Sequence, residues 1–190
     1  MQTEKELIRR IRSGDKDAFA LLVKDLLPSA YKTAYLILRS KEHAEDALQI
    51  ALEGAYISIM KNRDMANFKA WFYRLVYSRS IDIYRKNQRV TQLIVKTGAG
   101  QEMREAETAQ ELLIQKENKD EMIKFILELK KDQGVPIYLH YYEELSVREI
   151  SAILDENENT IKARITRGRR KLAEILQETK QLMKGVKSHG

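Results

Sequence analysis

Residues 146–172 read SVREISAILDENENTIKARITRGRRKL and carry the strongest local signal in this chain. Ser146 and Glu149 match a capping box, in which each side chain accepts a hydrogen bond from the other residue's backbone amide at the start of a helix. The three residues 155–157 then form a short turn, and Asn157 can cap a second helix. Two capped helices joined by such a turn predict a helix-turn-helix unit.

The second helix of this unit is predicted to be apolar on one face and basic on the other. Ile161, Ile165 and Leu172 recur at helical spacing and are expected to face the first helix. The leading end of such a helix can enter the DNA major groove, where asparagine reads adenine and lysine reads guanine, while arginine holds phosphates. A solvated basic face is the alternative, but the caps and the turn length favour DNA binding. The predicted DNA contacts are Glu158, Asn159, Thr160, Lys162, Arg164, Thr166, Arg167, Arg169 and Arg170.

The composition of the whole chain favours helices. Its 190 residues include 8 Gly and 2 Pro, strong helix formers dominate, and no alternating strand pattern is evident. We therefore predict an all-α protein of two small helical domains joined by a flexible linker. The predicted boundaries are residues 1–91 for the first domain, 92–115 for the linker, 116–180 for the second domain and 181–190 for a C-terminal tail.

Polar residues mark the starts of helices in the first domain. Asp15, Ser40 and Asn67 each precede an apolar pattern of helical period and are predicted to cap it. The helix after Ser40 has an alanine-rich inner face, which allows close approach of a neighbour. The helix after Asn67 is predicted to run to about Arg89.

The excess positive charge lies in the first domain. Residues 1–90 contain 17 basic and 11 acidic residues, which accounts for the net charge of +6 of the whole chain. Along the long helix, aromatic side chains alternate with basic ones, a pattern that fits stacking and holding of single-stranded nucleic acid. Trp71 and Phe72 are expected in the core, whereas Tyr73 and Tyr77 fit the core and a nucleic-acid surface equally well.

The sequence contains no cysteine and no cluster with catalytic or metal-ligand spacing. His43, His140 and His189 lie far apart, and adjacent acids such as Glu45 and Asp46 diverge on a helix. No apolar run is long enough to span a membrane, and the amino terminus is polar. We therefore expect a cytoplasmic protein without catalytic activity, cofactor, metal or membrane insertion.

Three blocks of the chain, in order, match the motifs of one known family. They are HAEDALQ at 43–49, FKAWFYR at 68–74 with IDIYR at 81–85, and ELSVREI at 144–150 with TIKAR at 160–164. Together they resemble an extracytoplasmic-function (ECF, group 4) sigma factor of bacterial RNA polymerase, over nearly the whole chain. The first block resembles the helix that binds core polymerase, the second the helix that melts and binds the minus-10 element, and the third the minus-35-reading helix-turn-helix.

The resemblance implies a role for each block. Core RNA polymerase would be bound by Glu45, Asp46, Gln49 and Glu53. The opened minus-10 element would be held by Lys61, Asn62, Arg63, Asn67, Lys69, Arg74, Tyr77, Arg79, Arg85 and Lys86, with the loop 61–67 around a flipped base. The DNA contacts predicted for the helix-turn-helix would fall on the duplex minus-35 element. The family also implies an anti-sigma factor as partner.

The sequence departs from the family pattern at several positions. Ile50 stands where an acid is usual, and Ser78 where asparagine is common. Gly134 and Pro136 fall in a segment that is usually continuous helix, and we predict that Gly134 ends one helix and Pro136 begins the next. Residues 155–156 replace the usual glycine and apolar residue of the turn, so we expect a turn without its hydrophobic pin and a more mobile second domain.

Two other classes of function compete with the sigma factor. A helix-turn-helix regulator that binds DNA without polymerase would form dimers on a palindromic site, and it would leave the basic first domain without a role. A helical adaptor that binds only protein would show no salt-dependent DNA binding.

Overall fold

The computed structural model describes residues 3–63, 65, 67–97 and 119–187, and within these ranges it contains nine helices and no strand, which confirms the all-α prediction. The helices are α1 (Glu4–Arg12), α2 (Lys16–Val23), α3 (Leu27–Leu38), α4 (Lys41–Met60), α5 (Phe68–Thr97), α6 (Lys119–Glu128), α7 (Lys131–Tyr141), α8 (Val147–Leu154) and α9 (Glu158–Lys187). One compact unit contains α1–α5 and residues 152–155, and a second contains α6, α7, residues 147–151 and α9.

Three helices of the first unit, α2, α4 and α5, begin at the predicted caps. The Asp15 carboxylate accepts hydrogen bonds from the amides of Asp17 and Ala18, at 3.0 and 3.1 Å. Ser40 Oγ accepts from the His43 amide at 3.3 Å, and Asn67 Oδ1 accepts from the Ala70 amide at 3.0 Å. These oxygens satisfy amides that have no partner within the helix, so each cap sets where its helix starts.

The core of the first unit is built around the small residues of α4. Ala44, Ala47, Ala51 and Ala55 are fully buried, and α4 packs against both α3 and α5. Alanine side chains let the helix axes approach closely, so a larger side chain here would overpack the core, at a typical cost of about 1–3 kcal/mol. On α5 the buried side chains are the apolar or aromatic Phe68, Phe72, Tyr73 and Val76 and the polar Ser80.

The helix boundary predicted at Gly134 is wrong. Gly134 and Pro136 both lie inside α7, which begins at Lys131 without a side-chain cap. A Cβ at Gly134 would stand 3.0 Å from the carbonyl oxygen of Ile126 in α6, so the glycine serves a close approach of two helices and not a helix end. Pro136 is buried and costs the helix one backbone hydrogen bond.

The two long helices continue past the predicted domain boundaries. The boundary predicted at residue 91 falls within α5, which runs to Thr97, and the tail predicted from residue 181 begins within α9, which runs to Lys187. The remainder of the predicted linker, residues 98–115, lies outside the described residues.

Candidate nucleic-acid interface

The helix-turn-helix unit is held by the predicted capping side chains. The Ser146 amide donates to Glu149 Oε2 at 2.8 Å, and the Glu149 amide donates to Ser146 Oγ at 3.2 Å, which completes the capping box. Asn157 Oδ1 accepts from the Asn159 amide at 2.8 Å at the start of α9. Ile150 of α8 and Ile161 of α9 are fully buried.

A polar network, in place of an apolar residue, fixes the turn between α8 and α9. Asp155 adopts φ = 55°, the left-handed conformation that glycine usually supplies. Arg164 Nη1 donates to Glu156 Oε1 at 2.7 Å, and both side chains are largely shielded from solvent. Ser151 Oγ donates to the Glu156 carbonyl oxygen, and the Glu156 amide donates to the Ser151 carbonyl at 3.0 Å. The turn therefore has a pin of a kind that we did not expect, and Arg164, predicted as a phosphate contact, supplies it.

The outer face of α9 presents most of the predicted DNA contacts to solvent. Asn159, Lys162 and Thr166 are exposed and lie at spacings of three and four residues, opposite buried Ile161 and Ile165. Thr166 Oγ1 donates to the Lys162 carbonyl at 2.9 Å. Exposure is shared by Glu158, Arg167, Arg169 and Arg170, while Thr160 is half-buried. Polar and basic side chains thus cover the accessible side of α9, with Arg167 and Arg169 on its two flanks.

The predicted minus-10 residues of the α4–α5 loop are also exposed. Lys61, Asn62, Arg63 and Asn67 all have accessible side chains, and Asn62 adopts φ = 55° just after the end of α4. The amide of Asn62 donates to the Ile59 carbonyl at 3.0 Å. The Asn67 side chain is the cap of α5, so part of its hydrogen-bonding capacity is already used.

Three hydrogen bonds from α1 to this loop and its flanking residues were not predicted from the sequence. Arg12 Nη2 donates to the carbonyl oxygen of Arg63 at 3.1 Å, and Arg12 Nε donates to that of Ile59 at 3.4 Å. Glu4 Oε1 accepts from the Phe68 amide at 3.2 Å. The paired residues are 47 to 64 positions apart in the chain, so no local pattern could indicate them.

The basic residues of α5 divide into two groups. Arg74 and Arg85 are exposed, and their separation of eleven residues places them on one face, with exposed Lys86 beside them. Lys69 and Tyr77 are half-buried. Arg79 Nη1 donates to Asp82 Oδ2 at 3.4 Å. The open question about Tyr73 is answered, because its side chain is fully buried in the core.

The predicted polymerase-binding residues form an exposed stripe on α4, opposite the buried alanines. Its members are Glu45, Asp46, Gln49 and Glu53, and Gln49 Nε2 donates to Glu53 Oε1 at 3.4 Å. Ile57 and Met60 continue the stripe at helical spacing and are 51% and 40% exposed. These two residues were not predicted as part of the surface, although their spacing from Glu53 places them on the same face.

Neither a metal-binding cluster nor a membrane-spanning helix is found in the described part of the chain. This part contains no group of three or more histidine, aspartate or glutamate residues that could hold a metal ion. None of its helices has the length and apolar character needed to cross a membrane.

Comparison with known proteins gives the same family for both units. The family model for Sigma-70 region 2 matches residues 22–90, and the model for Sigma-70, region 4 matches residues 119–172. The ECF RNA polymerase sigma factor SigW of Bacillus subtilis (strain 168) is 29% identical over 181 residues, which cover 92% of this chain and 97% of that protein. The ECF RNA polymerase sigma-E factor of Escherichia coli (strain K12) is 27% identical over 88% of this chain and 91% of its own.

Solved structures agree with this relationship. The sigma factor RpoE of Bartonella quintana, crystallised with the anti-sigma factor NepR, has a TM-score of 0.65 at 26% identity, over 84% of this chain and 96% of that one. CnrH, solved with the cytosolic domain of CnrY, shares the fold with a TM-score of 0.64 at 20% identity, over 92% of this chain and 97% of that one. The two sigma-70 regions occur in the family's order, and the relatives align over nearly the full length of the chain. The chain therefore belongs to the sigma-70 family, as an ECF-type RNA polymerase sigma factor that directs transcription initiation and not a polymerase-independent regulator or adaptor.

Proposed function

We propose that this sigma factor binds core RNA polymerase through the outer face of α4 and contacts its promoter in two places. The loop 61–67 and the basic face of α5 would hold the opened minus-10 strand, and the outer face of α9 would read the duplex minus-35 element. The supporting observation is the separation of charge, with acids on α4 and cations on the loop, α5 and α9. DNA phosphates favour the basic faces and leave the acidic one for a protein.

The α4 surface combines charge with exposed apolar area. Asp46 and Glu53 supply carboxylates, while Ile50, Ile57 and Met60 supply apolar area that binding would remove from water. Ile50, at 44% exposed, stands where the family usually has an acid, so the polymerase contact here is expected to rely more on burial and less on ion pairs.

The loop and α5 would act on a separated strand. A base that leaves the stack can be enclosed by the loop, while Arg74 and Arg85 follow the phosphates on one helical face. Both arginines are exposed, so their cations form a regular stripe along α5 that a phosphate backbone can follow. The protein would work in the cytoplasm, where promoters and polymerase are found, and without a catalytic step of its own.

An anti-sigma factor is the further partner that we propose. Two structural neighbours were solved in complex with another protein, the anti-sigma factor NepR in one case and the cytosolic domain of CnrY in the other. Such a partner would occupy surfaces that polymerase needs, so the two should compete.

Size-exclusion chromatography of the chain with bacterial core RNA polymerase, without DNA, tests the α4 surface. We expect the natural chain to co-elute with polymerase and the D46K variant to elute alone, because charge reversal places a cation in a contact made for a carboxylate. The control is E178K, the same charge change at an exposed position of α9. Circular dichroism confirms that both variants are folded. Co-elution of D46K at the natural level would place the polymerase surface elsewhere.

A further inference from the structure

The α4–α5 loop is braced at both ends by one short helix. The last turn of α1 supplies Arg12, which bridges the carbonyl oxygens of Ile59 and Arg63. The first turn of α1 supplies Glu4, whose carboxylate accepts from the amide of Phe68, the first residue of α5. The nine residues of α1 therefore connect the beginning of the loop to its end.

Each contact ties down a backbone group at one end of the loop, and the Ile59 carbonyl, which already accepts from the Asn62 amide, gains a further hydrogen bond. The Phe68 amide lies in the first turn of α5 and has no partner within its own helix, and the Asn67 side chain already serves the Ala70 amide. The Ile59 and Arg63 carbonyls lie where α4 ends and the chain turns away. A guanidinium presents several N–H groups in a rigid fork, so one side chain can hold two carbonyls at a fixed separation.

We propose that Glu4 and Arg12 are positioning residues, which fix the two ends of the α4–α5 loop, at Arg63 and at Phe68, so that the loop accepts a minus-10 base. This inference rests on the proposed role of the loop in promoter binding. Neither side chain needs to touch DNA, because both act on the loop's backbone. Loss of either contact leaves the buried core intact but lets the loop take several conformations, of which few fit the base.

Conservative substitutions at Arg12 and Glu4 distinguish a role in positioning the loop from an effect of charge. Lysine keeps the charge of Arg12 but has one ammonium in place of the fork, so R12K should behave like R12Q if Arg12 positions the loop, and like the natural chain if it only attracts phosphate. Glutamine at position 4 keeps an oxygen that can accept from the Phe68 amide, so E4Q should retain function and E4A should lose it.

Amide hydrogen exchange measured by NMR on the free, full chain tests the contact without polymerase or promoter. We expect E4A to raise the exchange rate of the Phe68 amide about tenfold, the ratio that a hydrogen bond to a charged group supports, while E4Q remains near the natural rate. E6A, which also removes an acid from the first turn of α1, is the control. Equal Phe68 rates in E4A and E6A would overturn the brace.

In vitro transcription tests the consequence for the promoter. Templates with randomised minus-10 positions are first selected with core polymerase and the natural chain, and each variant is then assayed on the selected pool. We expect R12Q and R12K to lose about three- to tenfold in base discrimination at one minus-10 position, with co-elution with core polymerase unchanged. R9Q is the control, because Arg9 is an exposed arginine of the same last turn.

The outcomes distinguish the role of the loop in promoter binding from the role of Arg12 in positioning it. If the natural chain selects no minus-10 sequence, the proposed role of the loop is wrong. If it selects one and R12Q matches R9Q, the loop has that role but Arg12 does not position it. If R12K recovers full discrimination, the charge of Arg12 acts and the fork does not.

Discussion

Side chains on the outer face of α9 differ in what they can contribute to promoter binding. Asn159 and Lys162 lie near the start of the helix, where an amide or an ammonium can reach base edges. Arg167, farther along the helix and toward its flank, suits phosphate. The hydroxyl of Thr166 is bonded to its own helix and has less capacity left for DNA.

Alanine substitution at Asn159 or Lys162 should relax sequence preference. A good side chain to base pair contributes about 1–3 kcal/mol of discrimination against the wrong base, so N159A and K162A should each make one minus-35 position more permissive by that amount. Competition binding of holoenzyme to matched and single-mismatch duplexes measures it. R167A should instead weaken all duplexes alike, and an equally uniform loss in N159A would remove Asn159 from base reading.

Two helical glycines should respond oppositely to alanine. A Cβ at Gly168 would stand 2.5 Å from Ile137 Cδ1 and 3.2 Å from Gln133 Cβ, so G168A should destabilise the protein by about 1–2 kcal/mol as α7 and α9 are forced apart. A Cβ at Gly54 would meet Leu75 at 3.4 Å, an ordinary contact, so G54A should stabilise by about 0.5 kcal/mol through helix propensity. Thermal melts of the two full-length variants decide this, and equal shifts would contradict it.

Several helix starts in this protein follow from single residues, but the start of α7, the helix ends and the long-range contacts do not. The caps at Asp15, Ser40 and Asn157 were predictable because a short polar side chain binds amides two or three residues away. The start of α7 was missed because Lys130 provides no side-chain cap and Gly134 signals close helix packing instead. The bracing of the loop by Arg12 depends on tertiary structure, which no sequence period encodes.

The exposed faces of the helices were easier to predict than the ion pairs and hydrogen bonds between their side chains. Most of the residues proposed to bind polymerase and DNA are accessible, because hydrophobic periodicity assigns the opposite faces to the core. Their pairing was not predictable, and Arg164 shows why: its partner, Glu156, lies eight residues back across a turn. Only the fold brings the two together.

The turn of the helix-turn-helix should depend on the Glu156–Arg164 ion pair. The side chains are 26% and 20% exposed, so solvent screens the pair only partly, and we expect a coupling energy of about 1 kcal/mol. A double-mutant cycle with E156Q and R164Q, followed by urea unfolding, measures this coupling. The exposed pair of Lys171 and Glu174 provides a comparison in which the coupling should be smaller. Additive effects at Glu156 and Arg164 would show that the pin does not stabilise the turn.

The junction of α1 and α2 should weaken in acid. The pKa of Asp15 lies below its usual range, because the Arg10 guanidinium hydrogen-bonds the carboxylate and the Ala18 amide donates to it as well. A carboxyl whose pKa is lower in the folded chain adds stability that is complete above its unfolded pKa and is lost as pH falls through the folded value.

Melting temperature as a function of pH measures this contribution. D15N keeps the cap but has no titrating group, so its melting temperature should fall less than that of the natural chain below the usual carboxyl range. D17N, which removes the neighbouring carboxylate but not the contact of Asp15 with Arg10, is the matched control. Parallel curves for D15N and the natural chain would mean that Asp15 titrates alike in the folded and unfolded states.

Charge over the whole molecule is arranged by surface and not by domain average. The second half of the sequence, residues 91–190, contains 17 basic and 17 acidic residues, yet α9 alone carries nine basic and three acidic ones. The excess charge of the first half coexists with the acidic stripe of α4. Neutral averages therefore conceal a cationic helix, and polymerase and DNA can be bound by surfaces of opposite sign.

The salt dependence of promoter binding should increase with the number of phosphate contacts. Each phosphate neutralised by a cation adds about 0.9 to the slope of log affinity against log salt, so R167Q/R169Q should lower that slope by about 2. Binding of holoenzyme to one promoter duplex at several KCl concentrations provides the measurement. Co-elution of this variant with core polymerase should not change, and an unchanged slope would remove both arginines from the phosphate contacts.

The close packing on the inner side of α9 also makes the proposed promoter specificity of this helix open to engineering. Gly168 lies against Ile137, and the Glu156–Arg164 pair secures the turn, so the helix is held from its inner side and its N-terminal end. The outer positions 159, 162 and 166 bear none of that packing. A library confined to these three positions could give variants with new promoters and an undisturbed scaffold, a starting point for transcription circuits that do not cross-talk.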